Sequence, residues 1–130
     1  MKFNMKNGGF FIDLPYGRLH ISRDSEGFGP YELMIASLAG CSGSILQTIL
    51  EKMRLDIQDI QIEANAERNK KKANRIEKVS LHFKIMGTKL NKQKLTRAME
   101  LTKKNCGMVQ SVLGSVDVEE TFELIECQSG

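Results

Sequence analysis

The chain is short of the residues that staple or punctuate small folds. Its 130 residues include three cysteines, two prolines, two histidines and no tryptophan. Small secreted scaffolds carry dense, even sets of cysteine, so an odd three excludes a disulfide framework as the source of stability. No CxxC or HxxxH pair occurs, which removes the usual ligand spacing of a zinc site around His20 and His82. The sequence is therefore read with no metal and no cofactor. Two prolines and eleven glycines do not make a low-complexity linker. The first nine residues, ending in Gly8-Gly9, hold no apolar run of the kind a signal peptide needs. Together these absences predict a reducing, cytoplasmic setting in which thiols are free.

What is present fits a folded domain. A hydrophobic content of 41% with 27% charged residues excludes a disordered chain, a coiled coil and a collagen-like fibre. The length fits one domain over residues 1–130, large enough to bury a core of its own. The net charge of +3 has a local source. Arg68-Asn69-Lys70-Lys71-Lys72-Ala73-Asn74-Arg75 holds five cations and no acid, so the remainder carries −2. The segment reads as a solvated hairpin tip. The alternative is a nucleic-acid or acidic-partner patch, since phosphate binding asks for basic charge along a face or groove, but no stacking aromatic lies in this loop.

Strand signals flank that loop. Ile60, Ile62, Ala64 and Ala66 alternate with polar residues, and so do Val79, Leu81, Phe83 and Ile85. Period-two patterning on both sides of a polar turn predicts an antiparallel hairpin with one buried face. Val116, Val118, Phe122 and Leu124 share one face of a later strand. Phe10, Ile12 and Leu14, then Leu19 and Ile21, predict short strands with turns at Gly8-Gly9 and Pro15-Tyr16-Gly17. Asn91 reads as the cap of a helix with Leu95, Ala98, Met99 and Thr102 on one face, and with Lys103 and Lys104 in its last turn. Asn105 reads as the cap of a shorter helix from Cys106 to Leu113, ending at Gly114.

One helix stands out. It opens at Pro30, with Glu32 in its first turn. From Leu33 to Leu50 it carries eighteen residues without a charge. The length is that of a membrane span. Ser37, Ser42, Ser44, Gln47 and Thr48 make it too polar, and no second span accompanies it, so no membrane partner is predicted. A helix apolar nearly all round belongs in a core. A chain of this size has difficulty enclosing it alone, and Ala36, Ala39, Gly40 and Gly43 permit close approach. An intimate homodimer is the expectation.

Cys41 lies near the middle of this helix. As structure, a free cysteine there is a small buried hydrophobe. Cys106 lies at a helix start, where the macrodipole and unpaired N–H groups favour the thiolate. Cys127 falls in an expected frayed tail, Glu126 to Gly130. If Cys41 and Cys106 meet in space, two-cysteine redox chemistry is open to them.

The run Gly29-Pro30-Tyr31-Glu32-Leu33-Met34-Ile35-Ala36-Ser37-Leu38-Ala39-Gly40-Cys41-Ser42-Gly43 resembles the central-helix motif of the OsmC/Ohr family. Asn105-Cys106-Gly107-Met108-Val109 resembles its second cysteine motif, and the intervening elements come in the same order. The likeness covers roughly residues 8 to 125. It implies an α/β (α+β) fold: an intertwined homodimer with antiparallel sheets wrapped around long central helices. It also implies a thiol-dependent peroxidase acting on organic hydroperoxides with a dithiol reductant, in oxidative or osmotic stress defence. By position, Cys41 would be the attacking thiolate and Cys106 the resolving thiol. Two departures stand out. The peroxidase members carry an Arg in the turn after the first strand and a carboxylate directly after the helix proline. Here that turn is Asn7-Gly8-Gly9, and Tyr31 follows Pro30 with Glu32 one place later, so the chain resembles the general OsmC-like branch more than the dedicated organic hydroperoxide reductases. Tyr31, Glu32 and Arg23 are the substrate-binding candidates, with Arg18 also preceding the helix. The alternative is a non-catalytic OsmC-like module that holds a small hydrophobic ligand at the dimer interface, near Tyr31, Met34 and Met108.

Overall fold

The structure is a computed structural model that describes residues 1–24 and 26–127. The chain forms two compact units, the first Met1–Ala36 and the second from Ser37 onward. In the first, β1 (Asn4–Lys6), β2 (Gly9–Leu14) and β3 (Gly17–Ser22) make an antiparallel meander in the order β1-β2-β3. The predicted turns are in place, and Phe10 pairs with Ile21 and Ile12 with Leu19. The strand β1 had no alternation to announce it, because all three of its residues are exposed. Among the described residues of this unit only Ile12 and Ser22 are buried, and Phe10, Tyr16 and Phe28 stand in solvent.

The helix α1 (Pro30–Lys52) runs from the first unit into the second. Two residues beyond its end, Arg54, with a φ of 58°, turns the chain into β4 (Asp56–Asn69). The predicted hairpin then forms between β4 and β5 (Arg75–Thr88), with Ile62 opposite Phe83 and Ala64 opposite Leu81. Its turn is tightened by hydrogen bonds from Lys72 to Asn69 and from Arg75 to Lys72, both 3.1 Å. A register shift between Ile57 and Asp59 brings Ile57 and Ile60 onto the same face despite their odd spacing.

After β5 come α2 (Lys92–Asn105), α3 (Gly107–Val112) and β6 (Asp117–Glu126). Asn91 caps α2 as predicted, its side chain accepting from the Lys94 N–H at 3.1 Å. The second cap lies one residue later than expected. Cys106, not Asn105, precedes α3, because the Asn105 side chain is turned back to donate to the Leu101 carbonyl. The sheet order is β4-β5-β6, and β6 runs parallel to β5, so this sheet is mixed rather than antiparallel throughout. A parallel neighbour needs a crossover, and α2 and α3 supply it. Glu126 and Cys127, expected in a frayed tail, are held in place. Glu126 is inside β6, the Cys127 N–H donates to the Gly87 carbonyl at 2.7 Å, and residues 128–130 lie outside the described ones.

One face of this sheet is the core. Val79, Leu81, Phe83 and Ile85 of β5 are each 0% exposed. Val118, beside Val79 in the sheet, is buried with them, as are Leu95, Ala98, Met99 and Thr102 of α2. The helix α1 contributes a narrow stripe, Leu38, Ser42, Leu46 and Leu50, at a spacing of four residues. Gly43 gives α1 its close approach to β4: a Cβ there would come 2.7 Å from Ile62 Cδ1. By length and composition α1 could cross a membrane; in its uncharged stretch Ala36, Gly40, Ser44, Gln47 and Thr48 are exposed and the other residues are buried or half-buried. The polar residues of the stretch are partly satisfied within the helix. Ser44 Oγ donates to the Gly40 carbonyl at 2.8 Å, and Thr48 Oγ1 to the Ser44 carbonyl at 3.1 Å.

A candidate two-cysteine site

The break between α2 and α3 is built around Cys106. Its N–H closes the last turn of α2 on the Thr102 carbonyl at 2.9 Å, and its own carbonyl accepts from the Gln110 N–H at 2.9 Å. The residue thus ends one helix and begins the next, in an extended conformation that neither helix could hold. Its side chain is fully buried. There it meets Cys41: the two thiols, 65 residues apart in the chain, are within hydrogen-bonding reach. Cys41 is half-buried on α1.

The electrostatics of Cys106 run against the expectation drawn from its helix position. Burial pushes its thiol up. The N–H groups of Val109 and Met108 at the start of α3 act the other way, and the neighbouring Cys41 thiol adds to the rise. A short helix start cannot offset the loss of water around the sulfur, so Cys106 is held as the neutral thiol.

A carboxyl from β6 meets α1 one residue beyond Cys41. Ser42 Oγ donates to Glu120 Oε1 at 3.0 Å. Glu120 Oε2 is enclosed and has no hydrogen-bond partner. Burial raises the Glu120 pKa above the ordinary carboxylate range, while the Ser42 hydrogen bond and the Lys103 charge lower it. Lys103 itself donates to the Val118 carbonyl at 2.8 Å. A groove of about 540 Å³ opens beside this group, with Thr96, Met99, Lys103, Gln110 and Phe122 among its lining residues.

Sequence reasoning did not single out Ser42 or Glu120 as a pair. The signal was present in β6. Val116, Val118, Phe122 and Leu124 occupy the inward phase, and Glu120 takes the same phase between them. A carboxylate at an inward position is the anomaly that marks it.

The other candidates lie in the first unit. Arg23 is exposed just beyond β3, and Tyr31 and Glu32 are in the first turn of α1. The Glu32 carboxylate folds over Gly29, where a Cβ would come 2.8 Å from Oε1. His20 is also in this unit, with Nδ1 2.7 Å from the Glu26 carbonyl. His82 projects from the opposite face of β5 to the core residues, 2.7 Å from Thr121 Oγ1. In the basic hairpin, Lys70, Lys71 and Lys72 are exposed, as a solvated tip requires.

Two sheets and a long uncharged helix, with Cys41 and Cys106 brought within reach of each other, define an α+β protein. The chain matches the OsmC-like protein family over residues 23–121 and belongs to it. Protein YhfA of Escherichia coli K12 is 26% identical over 97 residues, covering 74% of this chain and 72% of YhfA. A hypothetical protein from Aquifex aeolicus superposes with a TM-score of 0.87 at 22% identity, covering 98% of this chain and 96% of that one. An organic hydroperoxide resistance protein from Elizabethkingia anophelis gives 0.76 at 14% identity, covering 96% and 97%. At such identities the two structures establish the shared fold.

Proposed function

We propose that the protein is a thiol peroxidase that reduces organic hydroperoxides through Cys41 and Cys106. The observation that carries this reading is the contact between the two thiols, which a redox pair requires and a structural cysteine does not. The Cys41 thiolate attacks the distal oxygen of the hydroperoxide. The S–O bond forms as the O–O bond breaks, and the alkoxide leaves as the alcohol after taking a proton. The Cys106 sulfur then attacks the sulfenic sulfur; the disulfide forms and water leaves. An external dithiol reduces the pair and is itself oxidised to a disulfide. Burial raises the Cys106 pKa, which suits the resolving role rather than the attacking one. Arg23, Tyr31 and Glu32 are proposed to bind the hydroperoxide. Hydroperoxide resistance proteins among the structural neighbours support the assignment.

The working form is proposed to be a cytoplasmic homodimer. The uncovered faces of α1 support this, as does a groove of about 430 Å³ lined by Gly40, Gly43, Leu50, Ile57 and Ile62, which a second copy would fill. The decisive test is non-reducing peptide mapping before and after one equivalent of an alkyl hydroperoxide. A Cys41–Cys106 disulfide that appears only after treatment is expected, with consumption abolished by Cys41→Ser. No peroxide consumption with any dithiol donor overturns the assignment and leaves the ligand-binding alternative.

A further inference from the structure

We infer that Glu120 is a positioning residue for the two-cysteine site, holding the Cys41 turn of α1 through Ser42 and making the reactivity of Cys41 depend on whether the carboxyl carries a charge. The inference rests on the peroxidase reading for the role of Cys41, and on geometry for the rest. Ser42 follows Cys41 directly, and its hydroxyl is committed to Glu120 Oε1 at 3.0 Å. That bond joins the centre of α1 to β6, 78 residues away in the chain. The second carboxyl oxygen is enclosed without a donor.

The groups facing Glu120 decide what ionisation does. From α1 it meets Ser42, beside Cys41. From α2 the charged groups around it are Glu100, Lys103 and Lys104, and from α3 only the neutral Gln110 faces the groove. Its β5 neighbour is Leu81, and its β6 neighbours on the same face are Val118 and Phe122. The Lys103 ammonium already donates to the Val118 carbonyl. A neutral carboxyl loses little by this enclosure, whereas a carboxylate has an oxygen that no donor reaches. Ionisation therefore draws on the Ser42 hydroxyl or on Lys103, and it places a negative charge against the residue that follows Cys41, whose thiol must itself become negative. Burial raises the Glu120 pKa, which moves this transition toward the working range of a thiol.

The experiment is the rate of Cys41 alkylation by iodoacetamide between pH 5 and pH 9, resolved by peptide mass spectrometry. It compares the reduced full-length chain with Glu120→Gln and Ser42→Ala. Wild type is expected to fall below a single-thiol curve as the carboxyl ionises. Glu120→Gln is expected to follow that curve, its advantage over wild type growing from the acid end of the range to roughly fivefold at pH 8, the size of one charge acting through partly solvated protein. Ser42→Ala is expected to displace the same inflection. It carries the test by itself if the Gln variant loses cooperative unfolding. Superimposed profiles overturn the inference, and so does a ratio that is constant with pH, which would mark a structural role alone. No peroxide enters this assay, so its failure and the failure of the peroxidase assignment are separate results.

Discussion

Glu120→Gln also has a consequence for stability, and its sign follows from the environment of the carboxyl. Burial raises the pKa of Glu120 in the folded chain above its unfolded value near 4.5. The folded state therefore holds this proton more tightly than the unfolded state does. The stabilisation is complete below about pH 4.5 and is lost as pH rises through the raised folded value. Above that point the carboxylate sits with Oε2 enclosed and unpartnered. A buried acceptor left unsatisfied costs about 1–3 kcal/mol, and more when charged. The Ser42 hydrogen bond and the Lys103 charge offset part of this, so the lower end applies. Glutamine keeps the shape and the acceptor for Ser42 without the charge. It should stabilise the protein by about 1 kcal/mol at pH 8. For a chain of this length that is a rise of roughly 3–5 °C in Tm. At pH 4 the difference should vanish. Urea or thermal unfolding at pH 4, 6 and 8 measures it, at one fixed protein concentration, since association would shift every midpoint. A Gln variant less stable than wild type at pH 8, or offset equally at all three values, would refute the reasoning.

Three other outcomes are expected. Cys106→Ser should still react once with a hydroperoxide but fail to turn over, with Cys41 carried to sulfinic acid under excess peroxide; mass spectrometry of the Cys41 peptide reads this. Phe83→Ala removes the largest of the fully buried side chains and should destabilise by about 3–5 kcal/mol in urea unfolding, with no compensation from the local hairpin turn. Asn91→Ala removes the cap of α2, whose side chain accepts from the Lys94 N–H, and should lower stability by about 1 kcal/mol. The loss should appear as faster hydrogen exchange in the first turn of that helix.

Much of the fold was legible because its signals are local. The β4–β5 hairpin announces itself in Ile60 to Ala66 and in Val79 to Ile85, where every second residue faces the core. Asn91 and Pro30 mark helix starts by properties of single residues. The direction of β6 was not legible, because alternation is the same for a parallel and an antiparallel strand. The strand β1 was missed because neither of its faces is buried. At the site, both cysteines were readable from their motifs, but their contact depends on how the crossover lies against α1, which no spacing encodes. The acidity expected of Cys106 came from its helix start, and burial of the whole side chain reversed it. Glu120 was hidden in a strand read for its hydrophobic residues, although its place in the alternation was the clue.

The parallel pairing of β6 with β5 also bears on the order in which the chain acquires its structure. The hairpin closes over a short turn and forms from neighbours in sequence. The thiol pair cannot assemble until the crossover has docked and carried Cys106 to the helix, so it belongs to the late, long-range part of folding. In an unfolded chain Cys41, Cys106 and Cys127 offer three possible disulfides, of which two join thiols that the native contact does not pair. A chain oxidised before the crossover docks is thus exposed to being locked in the wrong one. Synthesis in a reducing compartment, as proposed, would let topology choose the partner before chemistry does.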